Sequence, residues 1–404
     1  METYKKKIVI IANFCDYGEE KTNNRFNYVA NMLCEAGFDV EVVTSTFSHR
    51  QKIQRKVIDD GKTPYKTTLI YEPTYIKNIS LKRFSCHKKW GKGVKSYLET
   101  ISKPDLVYAA VPSLEGAYYA SKYCEKNGVP FVIDVQDLWP EAYKMIFKVP
   151  IVNDCFFVPF KKLANKIYAS ADKVVAVSQT YADRALAVND KTKDSCVVYL
   201  GTNLSVFEKN KTENQPTTQS DKFRLAYCGT LGASYDLTSV FDAMKILKDK
   251  GKDAQFIVMG TGPLLEKFKN YATSLGVDVV FTGMLPYEVM CAELCSCDLA
   301  INSITKGAAQ SIINKVGDYA MANLPIISTQ ECKEFRNLVD EYQCGVNCES
   351  QSATSIANAI EKLMVDDDLR IQMGNNARVL AEERFNRITS YPKILKLIKE
   401  TIKD

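Results

Sequence analysis

Gln310, Asn314, Lys315 and Asp318 fall close together in the stretch Gly307–Pro325, GAAQSIINKVGDYAMANLP. They supply two amides, a cation and a carboxylate. A cation answers a phosphate, and a carboxylate accepts from neighbouring sugar hydroxyls. Ile313, Val316, Gly317 and Ala320 recur at helical spacing, so the polar four share the opposite face. Leu299–Ile304 reads as a buried strand leading into this helix, and Asn323 and Pro325 end it. A strand that passes its chain to a helix offers free main-chain N–H groups to an anion. The chemistry that fits is the holding of a phosphorylated, hydroxyl-bearing ligand. A plain amphipathic helix with a polar outer face fits the same spacing.

A second polar group follows the apolar run Pro130–Val135, as Gln136-Asp137-Leu138-Trp139-Pro140-Glu141. In open α/β sheets, ligands sit beyond the carboxyl ends of strands, which is where this hexapeptide falls. Asp137 is the candidate base or orienting group for an acceptor hydroxyl. A helix-capping aspartate is the plain alternative.

The elements that must position these groups alternate as strands and helices. Lys7–Asn13, Asp39–Thr44, Asp105–Ala110, Pro130–Val135, Lys173–Ser178 and Cys196–Leu200 read as strands of a first domain, 1–205. Residues 47–100 read as irregular, basic and aromatic, with Lys82–Lys95 as a solvated loop or as a run that meets an anionic lipid headgroup. Residues 206–222 are polar, lack apolar periodicity and read as a linker. A second strand–helix set spans 223–385, and 386–404 holds a last helix that could pack back on the first domain. The expected fold is two doubly wound α/β domains with the ligand cleft between them.

Composition narrows the function. The 404 residues are 46% apolar and 25% charged, with no low-complexity block. No apolar run reaches the roughly 18 residues of a membrane span. The N-terminal METYKKKIVIIANF reads as a first strand rather than a signal peptide. Thirteen cysteines, scattered through apolar runs, read as reduced and buried in a cytoplasmic protein. With only His49 and His87, and Cys295-x-Cys297 alone, a metal centre or hydrolase triad is poorly supplied, so no metal is expected. His49 reads as a loop histidine. Asp366-Asp367-Asp368 reads as a helix cap rather than a metal motif. No GxGxxG follows the first strand, which argues against a nicotinamide cofactor. Residues 1–200 carry a net +8 and 201–404 a net −3. The basic half suggests an anionic partner, with nucleic acid ranked last. Ile151–Tyr168, aromatic with Lys161, Lys162 and Lys166, reads equally as a core helix or as a membrane-surface helix.

The ordered set YCGT (227–230), MGTGP (259–263), FTGML (281–285) and the polar-x7-acidic helix resembles the donor domain of retaining GT-B glycosyltransferases of family 4. DLWPE (137–141) and FSHRQK (47–52) resemble the bacterial surface or capsular polysaccharide branch of that family. The resemblance implies a retaining, metal-independent hexosyltransferase without cofactor. It implies a nucleotide-sugar donor, with uridine the family's usual base, and a polyprenyl-diphosphate-linked acceptor at the inner membrane face. It implies a donor site of Gly229, Thr230, Gly260, Thr261, Gly262, Met284, Gln310, Asn314, Lys315 and Asp318. Asp137 and Lys315 would act in catalysis, and Gly18, Arg25 and Glu141 on the acceptor or phosphate side. Three positions depart from the family pattern. Gln310 replaces a glutamate, Gln136 replaces a histidine, and Ser234-Tyr235-Asp236-Leu237 replaces the usual Lys-Gly. The diphosphate's cation then falls to Lys315, with Lys306 and Arg25 behind it. A UDP-sugar 2-epimerase, or a non-catalytic nucleotide-sugar-binding partner in polysaccharide assembly, are the competing expectations.

Overall fold

The computed structural model describes residues 5–18, 20, 24–56, 63–78, 80–144, 150–308 and 312–403. The chain divides into two compact units, 1–198 with 391–404, and 199–390.

The first unit is built on seven parallel strands. They are β1 (Lys7–Ile11), β2 (Asp39–Ser45), β3 (Lys66–Ile70), β4 (Leu106–Val111), β5 (Phe131–Val135), β6 (Lys173–Ala176) and β7 (Ser195–Val197). Their order in space is β3-β2-β1-β4-β5-β6-β7. In the centre, Ile10 pairs with Val42 on one side and Tyr108 on the other. Strands covered on both faces read as unbroken apolar runs, which is why KIVII and LVYAAV were legible. The order reverses beside β1, so the loops after β1 and β4 diverge and leave room for a ligand.

The second unit repeats the plan with β8 (Phe223–Cys228), β9 (Ala254–Met259), β10 (Asp278–Gly283), β11 (Leu299–Asn302), β12 (Ile326–Ser328) and β13 (Gly345–Asn347). Their order is β10-β9-β8-β11-β12-β13, all parallel. The reversal falls between β8 and β11.

Two segments differ from the sequence expectation, and a third takes one of the two readings left open for it. Residues 81–98, read as a loop, form the helix Leu81–Leu98. Its buried stripe is Cys86, Trp90, Val94 and Leu98, while Lys82, Lys88, Lys89, Lys92 and Lys95 face solvent. It lies close against the helix Leu114–Asn127, where a Cβ on Gly116 would come within 2.2 Å of the Trp90 ring. Residues 206–222, read as a linker, begin in the helix Leu204–Glu213, capped by Asn203 and anchored by buried Phe207. Beyond it, the Thr217 main-chain N–H and hydroxyl donate to buried Glu293 at 2.6 and 2.8 Å, and Glu293 pairs with Arg224 at 2.8 Å. That stretch is fixed by polar bonds, so it shows no apolar period. The helix Pro150–Ser170 buries Phe157, Ile167 and Tyr168 within the first unit, as the core-helix reading of this segment expects, and runs on through Pro159. No helix among the described residues is long and apolar enough to cross a membrane.

The C-terminal helix Pro392–Lys403 belongs to the first unit and sets Ile394 and Ile398 into its core. Tyr391, just before it, meets Arg25. Arg25, expected on the phosphate side, is buried instead. Its Nε donates to Asp134 at 2.7 Å, and its Nη1 donates to the Val198 carbonyl at 2.9 Å and the Tyr391 hydroxyl at 3.2 Å. Tyr108 donates to the same Asp134 oxygen at 2.6 Å. The guanidinium is an internal strut that ties the first helix, β5 and the C-terminal helix together. Removing one member of a buried pair leaves the other charge unpaired, at a cost of roughly 3–5 kcal/mol. Arg25→Ala should therefore lower unfolding free energy by about that much in urea titration. Tyr108→Phe, which keeps the ion pair, should cost about 1 kcal/mol. Similar small losses in both would remove Arg25 from that role.

Candidate functional site

In the second unit the turns after β8 and β9 are joined by main-chain bonds. Gly229 N–H donates to Met259 O at 2.9 Å, and Leu231 N–H donates to Thr261 O at 2.9 Å. The two turns touch so closely that a Cβ on Gly260 would lie 1.9 Å from the Gly229 carbonyl oxygen. Gly229 and Gly260 have φ of 131° and 157°, in the region that favours glycine. Thr230 and Thr261 are exposed on these turns. On the far side of the reversal, Thr305 N–H donates to Ser234 O at 3.0 Å, joining the loop after β11 to the loop after β8.

The helix of the Gly307–Pro325 stretch is Lys315–Met321, shorter than its sequence suggests. Tyr319 docks it to β8, its hydroxyl accepting from Cys228 N–H at 3.0 Å. Lys315 was expected on an outward polar face. It is buried, 8% exposed, with Nζ 3.8 Å from the Tyr227 ring centre and 4.0 Å from that of Tyr235. Nζ has no hydrogen-bond partner among the described residues. A Cβ on Gly229 would lie 3.8 Å from it, so the ammonium sits against the glycine turn. Burial lowers its pKa to about 7, with Cys228 opposing. The two rings supply cation–π attraction but no lone pair.

Asp318, one turn on, is partly buried. Its Oδ1 accepts from the Tyr287 hydroxyl at 2.9 Å, and that hydroxyl meets Thr202 Oγ1 at 2.9 Å. Burial raises the Asp318 pKa to about 6, against the pull of Tyr287 and Arg387. Asn314 is exposed just before the helix. Met284 is exposed after Gly283. Gln310 lies outside the described residues. The expected donor set is thus drawn from the ends of β8, β9, β10 and β11. Sequence spacing missed Tyr227 and Tyr235, because nothing local marks two rings closing on one lysine.

In the first unit, Asp137 accepts from Leu138 N–H at 2.9 Å through Oδ1 and from the Trp139 indole at 3.1 Å through Oδ2. Burial raises its pKa, and nearby Arg83 opposes the shift. Each oxygen keeps a lone pair, so Asp137 can still accept from a hydroxyl. Glu141 pairs through Oε1 with Arg184 at 2.7 Å, and its Oε2 has no hydrogen-bond partner among the described residues. Gly18 is an exposed turn residue with φ 63°.

Sequence reasoning missed the cluster beside Trp139. Both histidines stand in it, with Glu72, Lys52 and Arg83. Glu72 accepts from Asn13 at 3.0 Å and Ser45 at 2.6 Å, and lies 3.3 Å from His87 Nδ1. Arg83 Nε donates to His87 Nε2 at 3.1 Å. The signal was present as Arg83-x3-His87 on the Cys86-Trp90-Val94 stripe, one helical turn apart.

Residues 23–206 match the family model described as Glycosyltransferase Family 4, and residues 208–380 match Glycosyl transferases group 1. An uncharacterized glycosyltransferase of Methanocaldococcus jannaschii is 27% identical over 245 residues, 58% of this chain and 60% of that protein. The capsular polysaccharide biosynthesis glycosyltransferase CapM of Staphylococcus aureus is 22% identical over 229 residues, 54% of this chain and 58% of that protein. The chain thus spans about 60% of the length of these curated relatives. Among solved structures, Anabaena HepE in complex with UDP superposes with a TM-score of 0.70 at 15% identity, covering 98% of this chain and 100% of that one. The two sheets and this likeness identify the GT-B fold of two Rossmann-like domains.

The Lys315 shift has a consequence for stability. The pKa is depressed on folding, so from about pH 7 to 10.5 the unfolded chain binds the extra proton, and stability rises with pH. Below that window the full cost of burying the charge is present. Lys315→Met should therefore stabilise the ligand-free protein by several kcal/mol at pH 6.5, on the order of what so large a lysine shift represents. The gain should shrink toward pH 10. Urea unfolding of both proteins at the two pH values measures it.

Proposed function

We propose, for a chain built of a family 4 glycosyltransferase domain followed by a group 1 glycosyltransferase domain, a hexosyltransferase that moves sugar from a nucleoside diphosphate sugar to a lipid-linked saccharide. One observation carries this reading: Lys315, buried without an acceptor against the Gly229 turn at the reversal of the second sheet. A diphosphate would supply the missing anion. Lys315 then stabilises the charge that develops on the leaving diphosphate as the glycosidic bond breaks, where a preorganised cation is most effective.

The other residues take the roles their places suit. Main-chain N–H groups of Thr230 and of the Gly260-Thr261-Gly262 turn would meet the phosphates, Gly229 N–H being taken by Met259 O. Asp318, with one oxygen held by Tyr287, accepts from ribose hydroxyls through the other. Met284 meets the base edge, and Asn314 meets the sugar. Asp137 orients the acceptor hydroxyl, and the departing phosphate takes its proton. The transfer retains anomeric configuration and needs no metal ion, since Lys315 carries the charge.

UDP is the nucleotide favoured by this reading, and its support is a fold shared with a protein crystallised with UDP. The likeness to CapM supports an acceptor in surface polysaccharide synthesis. The exposed lysines of Leu81–Leu98 would meet an anionic membrane at its cytoplasmic face.

The test is a thermal-shift series against UDP, GDP, ADP and NAD. One nucleoside diphosphate should raise the melting temperature, since a ligand of the folded state alone stabilises it. Asp318→Ala should weaken that nucleotide at least tenfold. Asp137→Ala should keep nucleotide binding and lower transfer at least a hundredfold. Stabilisation by none of the four, or full transfer by Asp137→Ala, would contradict the assignments.

A further inference from the structure

The cluster around His49, Lys52 and Arg83 holds more hydrogen-bond donors than the protein satisfies. Lys52 Nζ donates to Asn78 Oδ1 and lies 3.3 Å from His49 Nδ1. That leaves one ammonium proton. Arg83 donates from Nε to His87 Nε2 and from Nη1 to the Asn78 carbonyl at 2.8 Å, which leaves three of its five N–H donors. An ammonium can only donate, so His49 Nδ1 is an acceptor. It also lies 2.6 Å from the Tyr75 hydroxyl. The proton of His49 is therefore on Nε2, a further donor. Burial, Arg83 and Lys52 together lower the His49 pKa to about 3, which keeps the ring in this neutral form.

No carboxylate among the described residues is hydrogen-bonded to Lys52 or Arg83, although Glu72 stands near enough to act on both electrostatically. Among the described residues, neither Lys52 nor Arg83 makes a salt bridge. Glu72 takes Asn13 and Ser45 on Oε2 and leaves Oε1 without a hydrogen-bond partner, and Asp137 takes the Leu138 N–H and the Trp139 indole, so Arg83 acts on both carboxylates through space without bonding either. The walls are aromatic: Arg83 lies 4.7 Å from the Trp139 ring centre and 5.7 Å from that of Phe14, and Lys52 lies 4.8 Å from that of Tyr75.

The backbone adds an independent sign. Lys52 closes the turn of the two-stranded ribbon Phe47–Ser48 and Ile53–Gln54, with its N–H donating to Ser48 O at 2.8 Å. Its φ is 60°, the left-handed position that such turns usually give to glycine or asparagine. A lysine held there is strained, and strain that persists in a cluster of this kind points to function.

We propose that Lys52, Arg83 and the Nε2–H of His49 form a receptor for a phosphoryl oxyanion in the first unit, distinct from the diphosphate position at Lys315. Phosphoryl oxygens suit it because they accept several N–H bonds at once, and Arg83 can present two parallel donors. The site lies beyond the ends of β1, β2, β3 and β5, beside Asp137. Within the proposed function it is the place for the phosphate of a lipid-linked acceptor. That last step rests on the transferase reading, whereas the receptor itself does not.

The experiment is calorimetric titration of the full chain with inorganic pyrophosphate while UDP saturates the nucleotide position. Pyrophosphate should still bind. Lys52→Gly should weaken it at least tenfold, leave UDP affinity unchanged, and leave the melting temperature of the ligand-free protein unchanged or higher, since glycine relieves the strained φ. A purely structural Lys52 would instead lower the melting temperature. Failure of pyrophosphate to bind beside UDP, or an affinity within twofold in Lys52→Gly, would overturn the receptor. Geranyl diphosphate separates two sources. Tighter binding than pyrophosphate assigns the anion to a prenyl lipid, equal binding assigns it to a free phosphate, and both uphold the phosphoryl site. Pyrophosphate binding that depends on Lys52, with no UDP binding, would uphold this inference and contradict the transferase reading.

Discussion

A buried lysine with no anion beside it is the constraint on which the second unit turns. Lys315 gives up solvent for the faces of Tyr227 and Tyr235, which attract a charge but cannot accept its protons. The arrangement is unfavourable in the ligand-free protein, and the rest of the site maintains it. Tyr319 fixes the helix to β8, the Gly229 and Gly260 turns lock each other, and Ser234 and Thr305 close the loop that carries Tyr235. Each contact holds the ammonium against a turn whose main chain faces the same point. Preorganisation of this kind lowers stability in exchange for tighter interaction with developing negative charge.

The strand order makes such a point available. Both sheets reverse direction beside their first strand, and a parallel sheet offers its loops at one edge only. In the second unit that edge gathers Gly229, Gly260, Met284 and Lys315. In the first it gathers Asn13, Glu72, Asp137 and the ribbon that carries His49 and Lys52. There Lys52 and Arg83 keep N–H donors beyond those that Asn78, His49 and His87 accept. The two units thus pose the same problem with different side chains.

Legibility in the sequence followed burial. Strands covered on both faces are continuous apolar runs, so β1, β2, β4 and β5 could be read directly, as could the polar stretch around Lys315 and Asp318. The helix Leu81–Leu98 was hidden because five lysines on its outer face outweigh a narrow stripe of Cys86, Trp90, Val94 and Leu98. The polar residues 217–218 read as linker because their partners, Glu293 and Arg224, are distant in sequence. Arg25 stood at the start of a helix after the first strand, as a phosphate ligand would. Only the fold shows Asp134 waiting for it 109 residues on. Glu141 likewise gives one of its oxygens to the distant Arg184. Spacing reveals which residue types are near one another along the chain, and a distant charge decides which of them remain free.

The central claim is that Lys315 acquires its counter-ion from a nucleoside diphosphate. Titration calorimetry of UDP at pH 7.5, in two buffers of different ionisation enthalpy, tests it directly. With a pKa near 7 the free lysine is largely neutral at that pH, and a diphosphate beside it raises the pKa. The account predicts net uptake of a fraction of a proton on binding, lost in Lys315→Met. Binding of UDP with no proton uptake, or uptake unchanged in the variant, would contradict it.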